Sequence, residues 1–171
     1  MHRKTRLRIW SYFKPEDRAM LRTPGQEVDL ATISTSETQQ LIDDMLVTMR
    51  QAEGIGLAAP QIGRSIRLAV IDHATEPTLR DDLVLINPRI VQPSVDVELG
   101  EEGCLSIPKV FGMIERSLRI RVQAFDRRGL PFQLDAHDLL ARVIQHEVNH
   151  LDGILFIDHA TKIVKGKDLL S

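Results

Sequence analysis

Residues 138–153 read DLLARVIQHEVNHLDG, and the rest of the chain takes its meaning from this run. Leu139, Leu140, Val143, Ile144 and Leu151 recur at helical spacing, the mark of a helix with an apolar face. Asp135 or the pair His137-Asp138 offers a polar start, and Gly153 a C-terminal residue free to turn left-handed. Inside the run, His146-Glu147-Val148-Asn149-His150 is an H-E-x-x-H signature. Residues four apart share a helix face about one turn apart. Two imidazoles so placed can bind one metal ion, with Glu147 in reach of a water on it. Burial among Leu140, Val143 and Ile144 favours neutral imidazoles, the form a metal needs.

A chain of 171 residues with 43% hydrophobic and 27% charged residues is expected to form one soluble domain, residues 1–171, with a core of its own. The net charge of −2 argues against general nucleic-acid binding. Arg3, Lys4, Arg6 and Arg8 make a small basic arm that reads as a solvated end. The apolar stretch Ile9–Phe13 stops at Lys14, too short for a signal peptide, and no run approaches the roughly 18 apolar residues of a membrane span. A cytoplasmic location is expected. Cys104 is the single cysteine, which excludes an intramolecular disulfide.

Residues 14–36, with Pro15, Pro24 and Gly25, read as irregular. A first helix follows, with Ser34 and Glu37 at capping-box spacing and Leu41, Ile42, Met45, Leu46 and Met49 as its apolar stripe. Its two methionines are expected to fill core, and Gly54 to end it. Strands are expected at 66–72, at 83–87 stopped by Pro88, and at 89–98 broken by Pro93. Residues 118–125 alternate cleanly, and Asp126-Arg127-Arg128-Gly129 is a turn into a hairpin partner at 130–135. The order predicts an α+β fold, mainly antiparallel strands packed around a central C-terminal metal-binding helix.

H-E-x-x-H supplies two ligands, and a catalytic centre needs a third plus an open position. Downstream candidates are Asp152, Asp158 and His159. Upstream, Cys104 sits in Glu101-Glu102-Gly103-Cys104-Leu105-Ser106, followed by Pro108, which reads as a tight, backbone-exposing turn rather than a core strand and favours the thiol as a ligand. A third block, Gly54-Ile55-Gly56-Leu57-Ala58-Ala59-Pro60-Gln61, has the small residues that let a substrate approach the backbone.

These three blocks, in this order and spacing, resemble the peptide deformylase family over roughly residues 20–160. The resemblance implies a monometallic hydrolase that removes the formyl group from the N-terminal methionine of new polypeptides. It implies Cys104, His146 and His150 as metal ligands, with water in the fourth position, and Glu147 as the group that takes and returns a proton. Gln61 and the backbone N–H of Leu105 would form the oxyanion hole, and Ile55, Gly56 and Leu57 would meet the substrate. The implied ion is Fe(II), one per chain, with Zn(II), Ni(II) or Co(II) as substitutes. The implied partners are nascent formyl-Met polypeptides and the ribosome.

The chain departs from the family pattern in three places. Asn149 stands where most members carry Asp, removing a charge near the metal without removing a ligand. The segment through Pro15-Glu16-Asp17-Arg18 matches poorly before Leu21-Arg22. The stretch after the metal helix leaves no room for the long C-terminal helix that some relatives use at the ribosome. Two other readings compete: a metallopeptidase, against which the lack of a standard downstream ligand pattern argues, and a metal-dependent binding protein or inactive paralogue, against which the retention of Gln61, Cys104, Glu147 and both histidines argues.

Overall fold

The computed structural model describes residues 4–170. In chain order the elements are α1 (Pro15–Leu21), α2 (Ser36–Gln51), β1 (Gly56–Ala58), β2 (Leu68–Ile71), β3 (Leu83–Pro93), β4 (Val97–Cys104) and β5 (Ile107–Ser117). They continue with β6 (Arg119–Phe125), β7 (Pro131–His137), α3 (Asp138–Leu151), α4 (Phe156–His159) and β8 (Lys162–Lys165). Two antiparallel sheets result, one in the order β1-β2-β3-β6-β7 and one in the order β4-β5-β8. The fold is the α+β arrangement expected, with α3 packed on strands of both sheets.

Helix α2 covers one face of the larger sheet, burying Ile42, Met45 and Met49 against Leu57, Leu68, Val70 and Ile86. Both methionines are core residues, as expected. The opposite face packs on α3 through Leu140, Val143 and Ile144 against Leu85, Ile120 and Val122. Strand β2 is therefore buried on both faces. A third cluster lies under the smaller sheet, with Leu21, Ile107, Ile114 and Phe156 at its centre.

Several boundaries differ from expectation for identifiable reasons. Residues 15–21 are helical, because Pro15 fits the first turn and Glu16 and Asp17 suit its positive end. Helix α2 is capped by Thr35, whose hydroxyl accepts from the Thr38 N–H, rather than by a box from Ser34 to Glu37. Its left-handed exit falls on Glu53, φ 57°, not on Gly54. The two strands expected at 83–87 and 89–98 are one strand, bent where Asn87 takes φ 52°. The register with β6 shifts between Ile86 and Arg89, and that irregularity accommodates Pro88. Residues 97–98 belong instead to β4. Glu101–Cys104 is also strand, and only Leu105 and Ser106 form the turn into β5.

The described part of the basic arm is not a loose end; Arg3 lies outside the described residues. The Thr5 N–H donates to Asp44 and the Leu7 N–H to Thr48 Oγ1, while Lys4 faces Asp43 at 4.0 Å. These partners all sit on α2, so the arm is held, mostly by its backbone, on a face that local sequence could not reveal.

Helix α3 ends in a pair of bonds that satisfies its last carbonyls. The Ile154 N–H donates to the Asn149 carbonyl at 2.9 Å and the Gly153 N–H to that of His150 at 3.1 Å, with Gly153 left-handed at φ 73°. A Cβ on Gly153 would lie 2.5 Å from the Arg22 carbonyl oxygen, whereas one on Gly129, φ 79°, would meet nothing closer than 3.7 Å. Both substitutions incur the left-handed penalty of about 1–2 kcal/mol, but only one adds a backbone collision. Gly153→Ala is expected to lower chemical-denaturation stability clearly more than Gly129→Ala; equal losses would contradict the packing assigned to the end of α3.

Candidate metal centre

Helical periodicity places His146 and His150 one turn apart on α3, their ring centroids 5.0 Å apart. Strand β4 ends at Cys104, whose Sγ lies 3.2 Å from His150 Nε2. The donor atoms of Cys104, His146 and His150 all fall within 4.8 Å of one another. Of the downstream candidates, Asp152 pairs with Arg67 and Asp158 with Arg22, and His159 is exposed. The upstream thiol completes the triad.

One thiol and two imidazoles are a donor set suited to a transition metal or zinc. His146 Nδ1 faces Glu102 Oε2 at 2.9 Å, which directs its Nε2 toward the thiol and His150. Two buried polar atoms, Glu147 Oε2 and His150 Nδ1, have no hydrogen-bond partner among the described residues. Glu147, with one unsatisfied oxygen, lines the same cavity as Cys104 and His146, where a carboxylate beside a metal site would sit. The residues fit the ion.

No motif in the sequence marks Glu102 as a functional residue, yet it ties the centre together. It is buried, and Arg116 grips it at both oxygens, Nε to Oε1 and Nη2 to Oε2, each 2.9 Å. Arg142 donates to Oε1 at 3.0 Å. Burial alone would raise its pKa, but Arg116 and His146 outweigh that and hold the carboxyl well below the usual range. Residues two apart on a strand share a face, so Glu102 and Cys104 point the same way. That period was the signal available in the sequence. Arg116 also donates to Asn149 Oδ1, so the motif's unusual Asn still anchors the guanidinium.

Burial acts differently on the remaining groups. It lowers His150 well below an ordinary histidine, helped by the neighbouring His146. At His146 burial is overcome by Cys104 and Glu102, which push it up to about 10; a cation on Nε2 would satisfy the same negative surroundings in place of the proton. At Glu147 burial dominates and pushes the carboxyl up to about 7, against the pull of His146.

The loop before β1 and the short 3-10 turn Ala59–Ile62 bring the third block to the centre. A Cβ on Gly56 would fall 2.3 Å from Glu147 Oε1, so the missing side chain is where the acid sits. Buried Gln61 accepts from the Ala58 N–H at Oε1, 2.9 Å, and donates from Nε2 to Ser106 Oγ at 3.2 Å. Its Nε2 also lies 3.5 Å from Cys104 Sγ. Ile55, Gly56, Leu105, Leu139 and Val143 line a cavity of about 550 Å³ that opens onto His146 and Glu147. Leu57, expected to meet substrate, turns its side chain into the core beneath α2 and is not part of that lining.

The polypeptide deformylase family model matches residues 8–166. The chain belongs to the polypeptide deformylase family. The peptide deformylase of Bartonella quintana is 48% identical over 128 residues, 75% of this chain and 73% of that one. Peptide deformylase 1 of Bacillus subtilis is 43% identical over 143 residues, covering 84% and 85%. Among solved structures, a class I type b peptide deformylase from Acinetobacter baumannii superposes with a TM-score of 0.83 at 31% identity, over 91% of this chain and 99% of that one. The Synechococcus elongatus enzyme, in complex with actinonin, gives 0.80 at 39% identity, over 95% and 85%. Polypeptide deformylases are metal-dependent, and the Cys104, His146 and His150 group is positioned to carry that metal.

Outer partners that orient a ligating histidine typically contribute 10–100-fold to metal affinity. Glu102→Gln is therefore expected to weaken metal retention by about that factor in a chelator competition, while Glu101→Gln, at an exposed neighbour, leaves it unchanged. Equal retention by both variants would remove Glu102 from the centre.

Proposed function

We propose that Cys104, His146 and His150 hold one divalent ion and that Glu147, Gln61 and Leu105 carry out the hydrolysis beside it. As a polypeptide deformylase the chain is a hydrolase that removes the formyl group from N-terminal methionine. The observation that carries the residue assignment is a buried Glu147 with an oxygen that has no hydrogen-bond partner among the described residues, lining the same cavity as Cys104, His146 and Gln61. A divalent ion in the triad supplies Lewis acidity, which acidifies water and draws charge from a carbonyl oxygen. The Glu147 carboxylate takes a proton from the attacking water and returns it to the leaving amine nitrogen as the formyl C–N bond breaks, releasing formate. A carboxyl pushed up to about 7 is matched to both steps near neutral pH. As charge develops on the formyl oxygen, Gln61 Nε2 and the Leu105 N–H stabilise it. Ile55 and Gly56 border the substrate, whose first side chain enters the apolar cavity; Leu57 takes part through its backbone alone.

We assign Fe(II) as the resident ion on the family resemblance, with Zn(II), Ni(II) or Co(II) as substitutes that one thiolate and two imidazoles would also hold. Metal content after anaerobic purification decides among them. We further propose that residues 1–171 act as one catalytic domain in the bacterial cytoplasm, on nascent formyl-Met polypeptides at the ribosome. The family match over 8–166 and the bacterial relatives support this. No helix of the described residues is long and apolar enough to cross a membrane.

Glu147→Ala removes a proton carrier and leaves the triad intact. The variant is expected to keep one metal per chain and to lose formate release from formyl-Met-Ala-Ser by about 10²–10⁴-fold. More than about a tenth of the wild-type rate would refute the role. Internal cleavage of longer peptides without formate release would favour the metallopeptidase reading.

A further inference from the structure

The segment Ile9–Tyr12, which no motif marks, crosses behind both loops that carry the assigned oxyanion donors. The Trp10 N–H donates to the Gln61 carbonyl at 2.7 Å, and the Tyr12 N–H to the Ser106 carbonyl at 2.8 Å. Between them the Ser11 N–H turns the other way, to Asp17 Oδ2 at 2.9 Å. This is the alternation of an extended chain, in which successive residues address opposite sides. Neither Gln61 nor Ser106 lies in a strand at that point, so the segment supplies the ordering that a sheet neighbour would.

The segment is itself held firmly. Asp17 on α1 is buried, takes the Ser11 N–H and accepts two contacts from Arg8 Nη2, at 2.6 and 2.5 Å. The Arg8 guanidinium lies 5.3 Å from the Trp10 ring centroid, within cation–π range. The indole in turn covers Gly63, the left-handed residue that ends the turn bearing Gln61; a Cβ there would fall 2.5 Å from the ring carbons. On the opposite side, Leu21 at the end of α1 is buried with Ile107 and Phe156. The segment thus runs from the core beneath the smaller sheet to the back of the Gln61 turn.

We propose that Ile9–Tyr12 is a strap whose Trp10 and Tyr12 amides position Gln61 and the Leu105–Ser106 turn relative to each other. Apart from it and the apolar packing of Leu105 and Ile62 on a shared core, the hydrogen bonds joining the two loops among the described residues are the Gln61 Nε2 contacts to Ser106 Oγ and Cys104 Sγ, which engage the side chain proposed to act on the substrate. Trp10 and Tyr12 are positioning residues; neither meets substrate. The role rests on the reading of Gln61 and Leu105 as oxyanion donors.

Three variants test it. Trp10→Pro deletes the N–H directed at Gln61, Tyr12→Pro deletes the one directed at Ser106, and Thr48→Val releases the arm at Leu7, away from both. Misplacing a catalytic group by about 1 Å can cost up to 10²-fold. Each proline variant is expected to keep one metal per chain, to hold KM for formyl-Met-Ala-Ser within about twofold and to lose kcat by about tenfold or more. Thr48→Val keeps its kcat. In a Gln61→Ala background the further loss from Trp10→Pro should shrink below about twofold, because residues acting as a unit are not additive. If one proline variant does not fold, the other carries the test. A folded, metal-loaded proline variant with wild-type kcat, beside an impaired Gln61→Ala, would overturn the strap alone. An unimpaired Gln61→Ala would overturn the oxyanion reading and the strap's role with it. Equal losses from Trp10→Pro in both backgrounds would mean that the segment acts elsewhere.

Discussion

A buried carboxylate that receives two guanidinium groups and an imidazole fixes the geometry of this centre. Glu102 stands on β4, Arg116 on β5, and Arg142 and His146 on α3. The smaller sheet and the metal helix therefore meet through charge as well as through packing. A buried ion pair adds little net stability, but removing one member leaves the others uncompensated at a cost of about 3–5 kcal/mol. The cluster is thus a strong constraint on where α3 can sit relative to β4. That relation is what brings Cys104 to the two histidines.

The same logic extends to the acid. Glu147 is kept inside by the packing of α3, and Gly56 gives it room by having no side chain. No described residue hydrogen-bonds to Oε2, so the cost of burial is expressed as a raised pKa instead of being relieved by a donor. A carboxyl anchored by a donor, as Glu102 is, would remain ionised and move protons poorly near neutrality. Two buried acids on neighbouring elements are driven apart in pKa by their partners, which suits the opposite roles proposed for them: one orienting a ligand, the other carrying protons.

The parts of this structure legible in the sequence are those whose signal is local or periodic. The period of Leu140, Val143, Ile144 and the two histidines defines α3, and the alternation at Ile120, Val122 and Ala124 defines β6. Three contiguous blocks carry the proposed ligands, the proposed acid and Gln61. Less legible were features set by tertiary partners. Pro88 reads as a strand breaker until the bend at Asn87 is seen to absorb it. Strand β5 went unread, its pattern interrupted by Pro108 and Gly112. The arm at Lys4–Leu7 looks like a solvated end until Asp44 and Thr48 of α2 supply its partners. Glu102 had a period-2 relation to Cys104, but its importance depends on Arg116 and Arg142, which lie 14 and 40 residues away.

The proposed centre has a mixed donor set drawn from β4 and α3, and X-ray absorption at the metal edge reads that set directly. With Zn(II) or Co(II) loaded to one ion per chain, the account predicts one sulfur scatterer near about 2.3 Å and two imidazole nitrogens near about 2.0–2.1 Å. The sulfur shell should vanish in Cys104→Asp while imidazole scattering persists. A first shell of nitrogen and oxygen alone in the unaltered protein would contradict the assignment of Cys104, and with it the placement of the reaction between β4 and α3.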